Sequence, residues 1–145
     1  AVVLDLFAGT GALGLEALSR GAQQVTFVDD GRTAAELIRK NVALTGATAQ
    51  VRHLKRNATR FGPCEGPQAQ LVFLDPPYAK GLGQSALKAT ASGGWLAPGA
   101  LVVWEEAAPM EPPAGFLKHD ARRYGATHVT FLEFDPAAPA KALRD

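Results

Sequence analysis

A glycine-rich turn between an apolar run and a short helical segment constrains this chain more than any other stretch. Val2-Val3-Leu4-Asp5-Leu6-Phe7 is apolar at all but one position, the pattern of a strand covered on both faces. Gly9-Thr10-Gly11-Ala12-Leu13-Gly14 follows, and Leu15 to Arg20 reads as a helix closed by Gly21. Glycines at this spacing allow a tight turn and let a ligand approach the backbone closely. The spacing alone is a weak signal, because glycines also mark ordinary strand-to-helix turns. Its context strengthens it. Asp5 inside the apolar run is costly unless it is paired or serves a ligand. A second strand, Gln24 to Val28, ends at Asp29-Asp30, about twenty residues beyond Gly9, where a carboxylate can receive ribose hydroxyls. Either acid can also cap the next helix; Asp29 is the preferred ribose ligand.

The remaining elements alternate. Residues Thr33 to Leu44 read as an amphipathic helix ended by Gly46. Ala49 to Leu54 alternates as a strand solvated on one side, with His53 on the polar phase. Asn57 is placed to cap a short helix. Leu71-Val72-Phe73-Leu74 is continuous and apolar, so it is expected to be buried on both faces. It stops at Asp75-Pro76-Pro77-Tyr78, because proline cannot donate to a sheet ladder. That stop sets a carboxylate and a ring at the sheet's carboxyl edge, where open α/β folds bind ligands. Gln84 to Thr90 reads as a helix and Ala100 to Trp104 as another buried strand, with Glu105-Glu106 beyond it as solvated charge. Lys118 to Tyr124 and Thr127 to Phe134, joined at Gly125-Ala126, form an antiparallel hairpin.

The expected fold is therefore α/β, a doubly wound and mostly parallel sheet with a C-terminal antiparallel hairpin. It forms one domain over residues 1–135, and the Ala/Pro-rich residues 136–145 read as a frayed tail. The chain opens directly on a strand, so an N-terminal extension is expected to precede Ala1. With 15 basic and 14 acidic residues, the net charge of +1 neither demands nor excludes a nucleic-acid partner. A single cysteine, Cys64, excludes an internal disulfide and a thiolate-rich metal site, and suits a reducing cytosol. No stretch is apolar and long enough to span a membrane.

Charge narrows the cofactor. A dinucleotide seats its pyrophosphate over the helix N-terminus, but Asp5 would repel phosphate and can instead hold an ammonium group. S-adenosylmethionine carries an amine and a ribose and no phosphate. The cradle of Asp5, Phe7, Gly9, Gly11 and Asp29 points to it rather than to a nicotinamide dinucleotide.

Val3 to Gly21 taken together resembles the cofactor motif of the RsmD-type bacterial small-subunit (16S) ribosomal RNA guanine-N2 methyltransferases. Asp75-Pro76-Pro77-Tyr78 resembles the acceptor motif of the same family, and amino-methyltransferases acting on DNA adenine, RNA and glutamine share it. The resemblance implies a Rossmann-like class I fold, cofactor contacts from Asn57 and Ala58 to the adenine edge, and a catalytic Asp75-Pro76-Pro77-Tyr78. Asn57 stands where the family often has aspartate, and its amide oxygen is expected to receive the adenine amine. The implied protein is a cytoplasmic monomer acting on ribosomal RNA or on an assembling small subunit, with no metal.

An exocyclic base amine is a poor nucleophile, because its lone pair is delocalised into the ring. The Asp75 carboxylate and Pro76 carbonyl can each accept one of its N–H groups, and Tyr78 can stack on a base flipped from its helix. Arg32, Lys55, Arg56, Arg60, Lys80, Arg122 and Arg123 are candidates to line the crevice mouth. The sequence leaves three alternatives open: an adenine-N6 methyltransferase acting on DNA or RNA, a nicotinamide-dependent dehydrogenase, and a chain that binds the cofactor without catalysis.

Overall fold

The computed structural model describes residues 1–77 and 81–139. Seven strands form one sheet in the order β3-β2-β1-β4-β5-β7-β6. Chain order is β1 (Val2–Leu6), α1 (Ala12–Ser19), β2 (Gln24–Val28), α2 (Arg32–Thr45), β3 (Val51–Leu54), β4 (Ala69–Leu74), α3 (Leu82–Ser92), β5 (Leu96–Glu106), β6 (Phe116–Tyr124) and β7 (Thr127–Phe134). Strands β1 to β5 pair in parallel, and β7 runs antiparallel between β5 and β6. This is the doubly wound sheet with an antiparallel hairpin that the sequence predicts.

Two apolar layers hold it together. On one face Leu4, Leu6, Val72, Leu74, Val102, Trp104 and Leu132 pack with Leu87 of α3. On the other, Val3, Val25 and Phe27 pack with Ile38 and Val42 of α2. Each such fully buried side chain contributes roughly 1.5–3 kcal/mol of transfer free energy. The split follows the two-residue period of the strands: Leu4 and Leu6 face one layer while Val3 and Asp5 face the other.

Four local expectations are corrected. Helix α1 begins at Ala12 rather than Leu15, so Gly14 lies inside it. A Cβ at Gly14 would meet Phe27 at 2.5 Å and Val25 at 2.7 Å, so this glycine serves close helix–strand packing. Within β4, Val72 and Leu74 are fully buried, whereas Leu71 and Phe73, which alternate with them, are half-buried. His53 is half-buried beside α2, with Nε2 enclosed and without a hydrogen-bond partner among the described residues. Asn57 caps no helix: its Oδ1 accepts from Thr59 N at 2.8 Å and Thr59 Oγ1 at 2.6 Å, closing a turn.

The fraying expected from Pro136 does not extend to Ala138, which is buried, with its carbonyl accepting from Gly115 N at 2.8 Å. Residues 140–145 lie outside the described residues. No helix among the described residues is long and apolar enough to cross a membrane.

Candidate active site

In this strand order the chain leaves β1 toward β2 and leaves β4 toward β5, so the crossovers diverge above the β1–β4 pair. Ligands of open α/β sheets bind in the crevice such a divergence leaves. A cavity of about 690 Å³ is lined by Phe7, Asp29, Asp30, Asn57, Ala58, Asp75, Pro76, Pro77 and Leu82. That volume suits a nucleoside-sized ligand.

The first wall is built by the end of β1 and the glycine turn. Phe7 has φ +57, alone among the described non-glycine residues in the left-handed region, and bends the chain out of the strand. A non-glycine residue there carries about 1 kcal/mol or more of strain, which the surrounding contacts must hold. Ala8 N donates to Val28 O at 3.2 Å and Gly11 N to Ala8 O at 2.9 Å. Asp29 fastens the turn from the side: Oδ2 accepts from Gly9 N at 2.9 Å and Oδ1 from Gly31 N at 2.8 Å. One carboxylate thus ties the glycine turn to the entry of α2 while lining the cavity. Asp30 lines the same cavity and is more exposed.

Asp5, Gly9 and Gly11 do not line the cavity; they support it. Asp5 is 2% exposed, and its Oδ2 accepts from Gly14 N at 3.0 Å, bracing the first turn of α1. Burial pushes its carboxyl up to about 7, against the Gly14 hydrogen bond and with smaller contributions from Asp75 and Asp29. A raised folded-state value means stability that is full below pH 3.8 and is lost as pH rises through about 7. The difference of about three units corresponds to roughly 4 kcal/mol. Asp5→Asn keeps an acceptor for Gly14 N without the charge. Its stability relative to the parent is therefore expected to rise by a few kcal/mol between pH 4 and pH 8 in urea unfolding. A difference that stays constant with pH contradicts this account of Asp5.

The second wall is the turn after β3. Both lone pairs of Asn57 Oδ1 are taken within the turn, one by a backbone N–H that fixes the amide's orientation. Asn57 lines the cavity with this oxygen already engaged. The oxygen expected to receive an adenine amine is the one that closes this local turn.

The third wall is Asp75-Pro76-Pro77. Leu74 of β4 is in register with Trp104 of β5, so Asp75 leaves the sheet beside Glu105. Partial desolvation at this edge raises the Asp75 carboxyl above its ordinary value. Tyr78 lies outside the described residues. Glu105 and Glu106, expected to be solvated charge, are half-buried. Glu106 Oε2 accepts from Trp104 Nε1 at 2.9 Å. Burial raises both glutamates, and the nearby Asp75 raises them further. Leu82, the first residue of α3, completes the cavity.

The family model described as Conserved hypothetical protein 95 matches residues 1–133. The chain belongs to this family. Over 102 residues it is 40% identical to the ribosomal RNA small subunit methyltransferase D of Escherichia coli, a match covering 70% of this chain and 51% of that protein. The corresponding Haemophilus influenzae protein is 38% identical over 105 residues, covering 70% of this chain and 54% of that protein. The chain spans about half the length of these curated relatives. Among solved structures it is similar to a putative methyltransferase of E. coli, with a TM-score of 0.83 and 34% identity, covering 93% of this chain and 76% of that one. The resemblance read from Val3 to Gly21 and from Asp75 to Tyr78 thus leads to the family that the comparisons find.

Proposed function

We propose that this chain carries the catalytic domain of an enzyme that transfers a methyl group from S-adenosylmethionine to the exocyclic N2 of a guanine in small-subunit ribosomal RNA. The observation that carries the reading is the single cavity holding Asp29 and Asn57 on one side and Asp75-Pro76-Pro77 on the other. The names of the E. coli and H. influenzae relatives support the substrate class.

The lining fits this cofactor. It includes Asp29, Asp30 and Asp75, with no lysine or arginine among its described residues. Such a site favours a ligand bearing sulfonium and ammonium charge and disfavours a pyrophosphate. In this reading Asp29 accepts from the ribose hydroxyls and Asn57 borders the adenine; both line the cavity. When bound, S-adenosylmethionine supplies an electrophilic methyl group on sulfur.

The Asp75 carboxylate and the Pro76 carbonyl accept the two N–H groups of the target amine. This favours a pyramidal nitrogen with its lone pair available, and both acceptors bind more strongly as positive charge develops there. Pro76 and Pro77 stiffen the segment, so less ordering is needed when the base arrives.

The substrate class is tested with tritiated cofactor and ribosomal subunits from cells lacking the enzyme. Label in the small-subunit RNA is the expected result. Label confined to large-subunit RNA, or no transfer to either, contradicts the proposal.

A further inference from the structure

The tip of the β6–β7 hairpin has surface chemistry that the catalytic cavity does not use. Register places it: Glu106 of β5 pairs with His128 of β7, which pairs with Arg123 of β6. Arg122, Arg123 and Tyr124 therefore emerge at the carboxyl edge that also carries Asp75. Three strand spacings separate β6 from β4, roughly 14 Å at about 4.8 Å each. That distance is within reach of a few nucleotides of an RNA strand.

Tyr124 is 58% exposed, and it alone among the described aromatic residues is a large exposed side chain. Charge is what an edge strand needs to avoid pairing with another chain; an exposed tyrosine is not. The tip is also pre-arranged. A two-residue turn with Gly125 at φ +61 closes it, and Arg123 Nε donates to Gly125 O at 2.9 Å. Arg122 Nε donates to Asp120 Oδ2 at 2.9 Å, with its guanidinium 5.7 Å from the centre of the Phe131 ring. Between the tip and Asp75 stand Glu105 and Glu106, which repel phosphate and so direct an RNA backbone outward, toward the arginines.

We propose that this hairpin tip docks the RNA strand beside the target nucleotide, with Tyr124 stacking on an unpaired base and Arg123 contacting phosphate. The proposal rests on the ribosomal RNA reading above. Base stacking on an aromatic tolerates any sequence, whereas phosphate contacts carry the salt dependence.

The test measures binding of unmodified small-subunit RNA by the protein and by Tyr124→Ala, Tyr124→Phe and Arg123→Ala, with cofactor affinity and melting temperature as controls. Tyr124→Ala is expected to bind about tenfold more weakly with an unchanged salt slope. Tyr124→Phe is expected to restore most of that loss, and Arg123→Ala to flatten the salt slope by somewhat less than one unit. RNA affinity of Tyr124→Ala within twofold of the parent, with cofactor binding intact, overturns the docking role. A defect seen only with assembled particles and not with bare RNA also overturns it, in favour of a protein contact. A parent protein that neither binds nor methylates the RNA overturns the ribosomal RNA reading itself.

Discussion

Asp75→Ala is expected to lower the rate of methyl transfer at saturating cofactor by about a thousandfold, while cofactor affinity falls far less, only by the share of the cavity's negative charge that Asp75 carries. Asp75 accepts from the target amine in the proposed chemistry, and removing one preorganised group of this kind costs on the order of 10²–10³ in rate. The variant also loses the negative charge that stabilises the nitrogen as it becomes positive. Asp75 fastens no part of the glycine turn, whose clamp is Asp29, so the main cofactor contacts are retained. A pH profile adds a second readout. Partial desolvation raises the Asp75 carboxyl, so the acid limb of the parent's turnover is expected above the ordinary aspartate range, as the carboxylate is lost on protonation. Single-turnover kinetics paired with a cofactor titration check both statements; wild-type turnover in Asp75→Ala contradicts the mechanism.

Asp29→Ala has the opposite signature. It removes the acceptor for Gly9 N and Gly31 N together with the proposed ribose contact. Hydrogen bonds to a charged group contribute about 1.5–3 kcal/mol each, so cofactor affinity is expected to fall about a hundredfold or more. Turnover at saturating cofactor is expected to fall far less, because Asp75 and Pro76 are untouched. Asp30→Ala, which removes no such clamp, is expected to change affinity by less than about threefold. Calorimetric titration separates the two acids, and a larger loss in Asp30→Ala moves the ribose role to Asp30.

The sequence revealed what depends on short-range pattern. The strand–glycine–helix unit and the acid twenty residues from Gly9 are local, and both led to the wall where Asp29 lines the cavity and holds Gly9 behind it. The stop at Asp75-Pro76-Pro77 was equally legible, since two prolines end a strand wherever it lies. Properties set by neighbours distant in sequence were not. Glu105 and Glu106 are half-buried because β5 lies beside β4 and its Trp104 offers Nε1 to Glu106, a pairing invisible in a single strand. Gly14 belongs to the helix because Phe27 and Val25 press against it. The Asn57 oxygen is used by Thr59 two residues away, a turn that composition alone does not distinguish from a helix cap. The partial exposure of Leu71 and Phe73 in an unbroken apolar run is likewise set by packing distant in sequence.

In the proposed reaction Asp75 and Pro76 receive the exocyclic amine of a guanine. The most direct measurement digests RNA methylated by the protein with labelled cofactor to nucleosides and identifies the labelled one. Label on N2-methylguanosine is the predicted result. Label on N6-methyladenosine, or on a ring carbon or ribose oxygen, would contradict it.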